Sequence, residues 1–278
     1  MMEGIIIKAL SDIYIVRCNN TNILCKAKGV FRKNKILPLV GDRVIIDSDK
    51  KIITEILNRK NSLIRPAIAN VDAAIIVMSV VKPDFSSLLV DKLINVIEFN
   101  NIKPIICLTK IDLISNMHEI NKYVEYYKKI GYEVVFNTEI DKIKELLKNK
   151  ITVITGQSGV GKSTLLNKLD SNLSLKTNEI SIALGRGKHT TRHVELIDFM
   201  DGFVADTPGF SALSFIGMTK EDIRDNMIEF NNYSCKYKDC MHFKEEECMI
   251  KEKVDSGEIL KSRYENYLKF INELKSIY

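Results

Sequence analysis

No apolar run in this sequence approaches the ~20 residues that a membrane-spanning helix needs. The N-terminal Ile5-Ile6-Ile7 is cut short by Lys8, and no small-residue cleavage site follows. Neither a membrane span nor a signal peptide is therefore expected. Stacking platforms are scarce too, since Tyr14 and Phe31 are the only aromatic residues up to Leu57. A nucleic acid bound there would be held by its backbone, or as double-stranded RNA, rather than read base by base.

The 278 residues leave room for two or three domains, and 45% hydrophobic with 28% charged residues is ordinary globular composition. The net charge of +5 is unevenly spread. Residues 1 to 65 hold 13 Lys or Arg against 6 Asp or Glu, whereas the remaining 213 hold 28 against 30. A basic N-terminal third suggests an acidic partner, nucleic acid first; a merely solvated lysine-rich surface is the plain alternative.

Hydrophobic periodicity divides the chain. Gly4 to Lys8, Ile13 to Cys18, Ile23 to Ala27, Arg43 to Ile46 and Ile52 to Leu57 read as five short strands separated by turn residues. That count fits an oligonucleotide-binding (OB-fold) β-barrel, with the basic segment Lys26 to Lys35 on a connecting loop. Past a boundary at Asn61 to Pro66 the pattern becomes alternating strands and helices. Val71 to Val80 is a buried strand, and Ser86 to Phe99 a helix with Leu88, Leu89, Leu93, Val96 and Ile97 on one face. Strand Pro104 to Leu108, helix Met117 to Ile130, strand Glu133 to Phe136 and helix Asp141 to Lys148 follow, which implies a mostly parallel sheet. After strands Val194 to Asp198 and Gly202 to Ala205, the pattern from Gly217 on is helical and charged, ending in Leu260 to Tyr278.

One stretch organises the rest. Ile151 to Thr155 is β-prone and runs into Gly156-Gln157-Ser158-Gly159-Val160-Gly161-Lys162-Ser163-Thr164, after which a helical pattern starts. Strand, Gly-x-x-x-x-Gly-Lys-Ser and helix together form the phosphate-binding loop. Its glycines let successive N–H groups turn toward phosphate oxygens, and the helix adds its positive end. Lys162 would reach the β- and γ-phosphates and the Ser163 hydroxyl would ligate Mg²⁺. A nucleoside triphosphate is the expected ligand.

Asp206-Thr-Pro-Gly209 at a strand end lies 43 residues beyond Ser163. Asp206 would hold Mg²⁺ through water, and the Gly209 N–H would reach the γ-phosphate. Between them, the polar stretch Asn178 to His193 carries Thr190 and Thr191, one of which would touch Mg²⁺ and γ-phosphate in the triphosphate state only. Thr109-Lys110-Ile111-Asp112 resembles the guanine-reading motif of GTPases, usually Asn-Lys-x-Asp. The Asp112 carboxylate would accept guanine N1–H and N2–H while the Lys110 stem lies along the base. Thr109 replaces the usual Asn, which removes an amide. Asn137-Thr138 occupies the place of the further base-contacting turn. Because the guanine motif precedes the phosphate loop, the sheet is expected to be circularly permuted.

With these motifs the sequence resembles the RsgA (YjeQ) family of circularly permuted GTPases of small ribosomal subunit biogenesis. The resemblance runs over essentially the whole chain, including Leu63-Ile-Arg65-Pro66-x-x-Ala69-Asn70-Val71-Asp72, Gly156 to Thr164, Gly185 to Thr191 and Asp206 to Phe210. It implies an α/β P-loop GTPase domain at 66–216, an N-terminal OB-fold β-barrel at 1–65 and a C-terminal helical zinc-binding domain at 217–278. It also implies GTP hydrolysis, binding to the 30S particle and its 16S rRNA, and stimulation by that particle. Phe210 stands where many GTPases carry a water-positioning Gln, so slow intrinsic hydrolysis is expected. The resemblance suggests His189 as the group that orients the attacking water, with Lys162 and Thr191 as its catalytic companions; a solvated loop histidine is the alternative.

Cys18, Cys25 and Cys107 lie in strand-like runs and are expected in the core. Cys235-x₄-Cys240-x-His242-x₅-Cys248 instead gathers four soft ligands within 14 residues. Such a set suits one closed, structural Zn²⁺, with disulfides as the rival. Lys236, Lys238 and Lys244 around it would attract rRNA, and Glu245-Glu246-Glu247 would repel it. The protein is expected to be cytoplasmic and monomeric, with no membrane partner. Two rival classes remain, a P-loop small-molecule kinase and a nucleotide-sensing RNA-binding module with little turnover.

Overall fold

The structure is a computed structural model that describes residues 1–33, 36–63, 67–171, 194–206 and 214–275. The N-terminal strands are β1 (Met2–Leu10), β2 (Ile13–Cys18), β3 (Thr21–Ala27), β4 (Arg43–Asp47) and β5 (Ile52–Ile56). Strict alternation turns Tyr14, Val16 and Cys18 of β2 and Val44 and Ile46 of β4 inward. β1 pairs with both β2 and β4, β2 with β3, β3 in parallel with β5, and β5 with β4, so the five strands close on themselves. This is the expected barrel. Gly4 permits the crossing of β1 over β2, since a Cβ there would lie 2.4 Å from the Cys18 sulfur and 2.6 Å from Val16. The segment expected as a loop, Lys26 to Lys35, holds a short helix, α1 (Gly29–Lys33), in its middle.

Two compact units make up the chain, one of residues 1–75, 138–156 and 161–212, the other of 76–137, 157–160 and 213–278. In the first, the barrel is continued by β12 (Glu195–Phe199), β13 (Gly202–Asp206) and β11 (Ile151–Thr155). β11 and β13 are parallel, whereas β12 and β13 form a hairpin whose outer strand pairs antiparallel with β1. Lys8 meets Glu195 across that seam at 2.6 Å, and Arg17 grips Asp198 through both terminal nitrogens at 2.8 and 3.2 Å.

The joint after the barrel is built from side chains that replace missing backbone partners. Asp42 is fully buried and accepts from the Arg59 Nε and Nη2 at 2.7 and 2.8 Å and from the Leu39 N–H at 2.7 Å. The Asn70 amide donates to the Gly41 carbonyl and accepts from the Lys60 N–H, while Asn61 and Val71 exchange two bonds. Asp72 closes onto Ile151 at the start of β11. Two-residue strands β6 (Ser62–Leu63) and β7 (Ile68–Ala69) pair here; they are too short for alternation to reveal them. Arg59→Met would leave the Asp42 carboxylate buried without its cation and is expected to cost about 2–3 kcal/mol of stability. Urea denaturation measures this, and a loss under half a kcal/mol would refute the role given to the pair.

In the second unit β9 (Lys103–Thr109) runs parallel to β10 (Glu133–Phe136) beside β8 (Ala73–Ser79), which enters it at Ile76. The helices α2 (Ser87–Phe99) and α3 (His118–Lys129) belong to this unit, and the Ser86 hydroxyl caps α2. On α2 the structure corrects the expected face. Leu93, Val96 and Ile97 are buried as expected, but Leu88 is exposed and Leu89 only half-buried, and Val90, Ile94, Asp91 and Asn95 are buried in their place. The reason is that the C-terminal helices cover α2 and supply polar partners: Arg263 for Asp91, and the Ile223 carbonyl for Asn95. Those helices, Lys220–Asp225, Met249–Asp255 and Lys261–Lys275, share an apolar core in which Val96 meets Phe215, Ile223, Phe230, Tyr267 and Phe270.

Candidate nucleotide site and metal centre

β11 is buried throughout and releases the chain into a loop whose three glycines all adopt positive φ: 138° at Gly156, 79° at Gly159 and 97° at Gly161. Other residue types adopt such angles only at a cost, and runs of this kind make anion-binding concavities. Val160 is buried, which pins the loop tip, while Ser158, Ser163 and Thr164 are exposed and Gln157 is half-buried. α4 (Ile140–Leu147) precedes this strand, and α5 (Lys162–Leu169) starts at the loop lysine itself. The Lys162 ammonium folds back over the loop and donates to the Gly156 carbonyl at 2.7 Å. Partial burial pulls its pKa down, a bias that a bound anion would reverse.

The second motif sits where β9 ends. Thr109 is buried, and its hydroxyl donates to the Val160 carbonyl at 2.6 Å, with the Met78 carbonyl at 3.4 Å. Lys110 takes a left-handed φ of 59° and leads into a turn over Ile111–Leu113 that leaves Asp112 exposed. The Lys110 ammonium donates to the Lys82 carbonyl, which fixes its stem. Asn137 extends the β9–β10 ladder through its N–H to Leu108 at 2.9 Å. Its side-chain Oδ1 is buried and has no partner among the described residues, as befits an acceptor waiting for a ligand donor. Thr138 next to it is exposed. Asp206 is the last residue of β13. Thr190, Thr191, His189, Gly209 and Phe210 lie outside the described residues.

The four soft ligands converge. Cys235, Cys240, His242 and Cys248 place their ligand atoms within 4.8 Å of one another. Sγ···Sγ distances are 3.9 and 3.8 Å, and Cys235 Sγ and Cys248 Sγ lie 3.5 and 3.4 Å from His242 Nδ1. Tetrahedral zinc with its ordinary bond lengths sets sulfurs about 3.8 Å apart and sulfur and nitrogen about 3.5 Å apart. The donor set therefore fits zinc, and all six cysteines are free rather than bridged. Burial pushes the Cys240 thiol up to about 12 and holds the His242 imidazole down at about 4, so its ring is a neutral donor at pH 7. Glu245 turns inward to accept the N–H groups of Met241, Phe243 and Lys244 at 2.8–3.0 Å. Burial alone would raise its pKa, but these N–H groups hold it at about 2. Lys236 pairs with Glu247 at 2.5 Å. Beside the cluster runs a groove of about 440 Å³ lined by Arg224, Lys236, Lys238, Tyr233 and Tyr237 among others. Cys18, Cys25 and Cys107 are buried core residues, as expected.

A phosphate loop that follows the guanine motif in the chain, behind a five-stranded barrel and ahead of a Cys₃His cluster, defines a circularly permuted GTP hydrolase. The chain belongs to the RsgA GTPase family: the model of the RsgA GTPase matches residues 56–216, and that of the RsgA N-terminal domain residues 3–53. It is 48% identical to the small ribosomal subunit biogenesis GTPase RsgA of Bacillus cereus, over 99% of this chain and 98% of that protein. With RsgA 2 of Listeria monocytogenes the identity is 49% at the same coverage. Among solved structures, the circularly permuted GTPase YloQ superposes with a TM-score of 0.83 at 40% identity, covering 100% of this chain and 96% of YloQ. YjeQ from Thermotoga maritima gives 0.85 at 34% identity, covering 98% of both chains. Among the described residues no helix is long and apolar enough to cross a membrane.

Proposed function

We propose that this GTP hydrolase acts on the assembling small ribosomal subunit, binds its 16S rRNA, and turns over GTP rapidly only when the 30S particle is present. The observation that carries the nucleotide part is the phosphate loop, with its three left-handed glycines and Lys162 folded onto Gly156. The ribosomal part rests on relatives that share nearly the whole chain and bear that activity in their names. The groove beside the metal cluster supports the RNA contact. Of the acidic run, Glu245 faces inward and Glu247 is paired with Lys236, and in the groove itself Arg224 is paired with Asp225, which leaves Lys238 to face a phosphate backbone.

The roles divide along the chain. Gly156 to Thr164 cradle the phosphates, with Lys162 countering charge on the β- and γ-groups. Thr109 to Asp112, Asn137 and Thr138 make up the base end of the site, where Asp112 selects guanine. Ser163, Thr191 and Asp206 would hold Mg²⁺, which when bound would neutralise charge on the phosphates. Thr190 and the Gly209 N–H attend the γ-phosphate, and His189 orients water where Phe210 cannot. Cys235, Cys240, His242 and Cys248 would hold one structural Zn²⁺. The working divisions are barrel 1–65, GTPase domain 66–216 and zinc domain 217–278, in a cytoplasmic monomer.

Phosphate release from GTP and from ATP, each with and without purified 30S subunits, tests the reading. Strong stimulation with GTP alone is expected. Equal turnover of ATP, or indifference to 30S, would refute it and favour the kinase or the sensor.

A further inference from the structure

Resting on that guanine-nucleotide reading, we infer that Thr109 is a positioning residue for the phosphate loop and takes no part in reading the base. An asparagine amide has two donor hydrogens and one acceptor, so it can hold a loop and address a purine at once. A threonine hydroxyl has a single proton. The structure shows where that proton goes: the Thr109 Oγ1 donates to the Val160 carbonyl at 2.6 Å, inside the phosphate loop. Guanine presents N7 and O6 as acceptors on the edge away from Asp112's N1–H and N2–H targets. A hydroxyl whose proton is committed to Val160 has nothing to donate to either. Thr109 is also only 2% exposed, closed in at the end of β9. The tie acts on the loop at Val160, itself fully buried, between the left-handed Gly159 and Gly161. What the substitution of Thr for Asn removes is therefore a base contact, while the hold on the phosphates is kept.

This assignment separates affinity from selectivity. Thr109→Val is nearly isosteric and leaves the Val160 carbonyl buried without its donor, so the loop loses its set position for any nucleotide. Nucleotide dissociation constants are to be measured for the full-length protein and for T109V, T109S and D112N, with GDP, 7-deaza-GDP and IDP as ligands. T109V is expected to weaken all three by the same factor, roughly tenfold for a lost buried hydrogen bond. T109S, which keeps the hydroxyl, is expected to restore binding. D112N is expected to change the ratio of GDP to IDP, since the two bases differ in the N2 amino group. A T109V penalty that disappears with 7-deaza-GDP would show that the hydroxyl reads N7 and would overturn the inference, as would a T109V protein that binds GDP as tightly as the parent. Failure of the parent protein to bind any of the three would overturn the nucleotide reading itself, a distinguishable result.

Discussion

Cys240→Ser is expected to strip the metal from the C-terminal domain and unfold it. The cluster offers four ligands and no vacant position, so the zinc proposed there would contribute folding free energy rather than chemistry. Structural zinc sites bind with apparent free energies of about 10–16 kcal/mol, against a stability of about 5–15 kcal/mol for a whole domain. From Tyr233 to Cys248 the chain contains no strand and no α-helix, and single bonds tie it to its surroundings: Tyr264 and Tyr267 to the carbonyls of His242 and Met241, Lys251 to that of Glu245 and Arg224 to that of Cys240. Two of the ligands, Cys240 and Cys248, are also members of the domain's apolar core, so release of the ion would open that core to water. Metal analysis should find one zinc per chain in the parent and little in C240S. Proteolysis should then cut the variant within residues 233–248. His242→Cys, which keeps four soft ligands, should retain the metal. A C240S protein that melts at the parent's temperature and resists protease equally would refute the structural role.

The parts of this molecule that were legible in the sequence are those whose signal is local. Glycine spacing located the phosphate loop, and the structure finds each of those glycines at a positive φ. Soft ligands within 14 residues located the metal cluster, because the residue types are rare and close together. Alternation located all five barrel strands to within two or three residues. The illegible parts depend on partners far away in sequence. Leu88 and Leu89 looked like core because they lie on the leucine-rich side of α2, yet the burial of that helix follows Asp91 and Asn95, whose partners in the C-terminal segment come 128 to 175 residues later. Nothing in the sequence singles out Arg263 within the charged helical stretch Leu260 to Tyr278. Likewise, the short pairing of β6 with β7 has no period of its own, and the Thr109 hydroxyl shows its purpose only when Val160 is seen beside it.

Arg263 is where that missed information has its largest energetic consequence. Its guanidinium is 1% exposed and spans two helices, donating to Glu229 at 2.8 and 3.1 Å and to Asp91 at 2.8 Å. Asp91 in turn accepts from the Asn266 amide at 2.7 Å and the Tyr127 hydroxyl at 2.5 Å, which brings α2, α3 and the last helix to one carboxylate. Burial works against the arginine's charge, but Glu229 and Asp91 more than offset it and keep the guanidinium protonated. Arg263→Met removes the cation and leaves two carboxylates in the interior, which is expected to cost about 3–5 kcal/mol at neutral pH. The cost should depend on pH in a fixed direction. Burial raises the Asp91 pKa, and Arg263 is its main opponent, so in R263M the folded-state value moves further above the unfolded one. A carboxyl raised in the folded state contributes its stability fully below its unfolded pKa, about 4, and loses it as pH rises through the folded value. The deficit of R263M should thus be small near pH 4 and grow toward pH 7. Adding Asp91→Asn and Glu229→Gln, which removes the charges but keeps the volume, should recover part of the loss at pH 7 and flatten the profile. Urea denaturation across that pH range reads both. A deficit below 1 kcal/mol at neutral pH, or one that stays constant with pH, would mean that the network contributes packing alone and that the charges are not what binds α2 to the C-terminal helices.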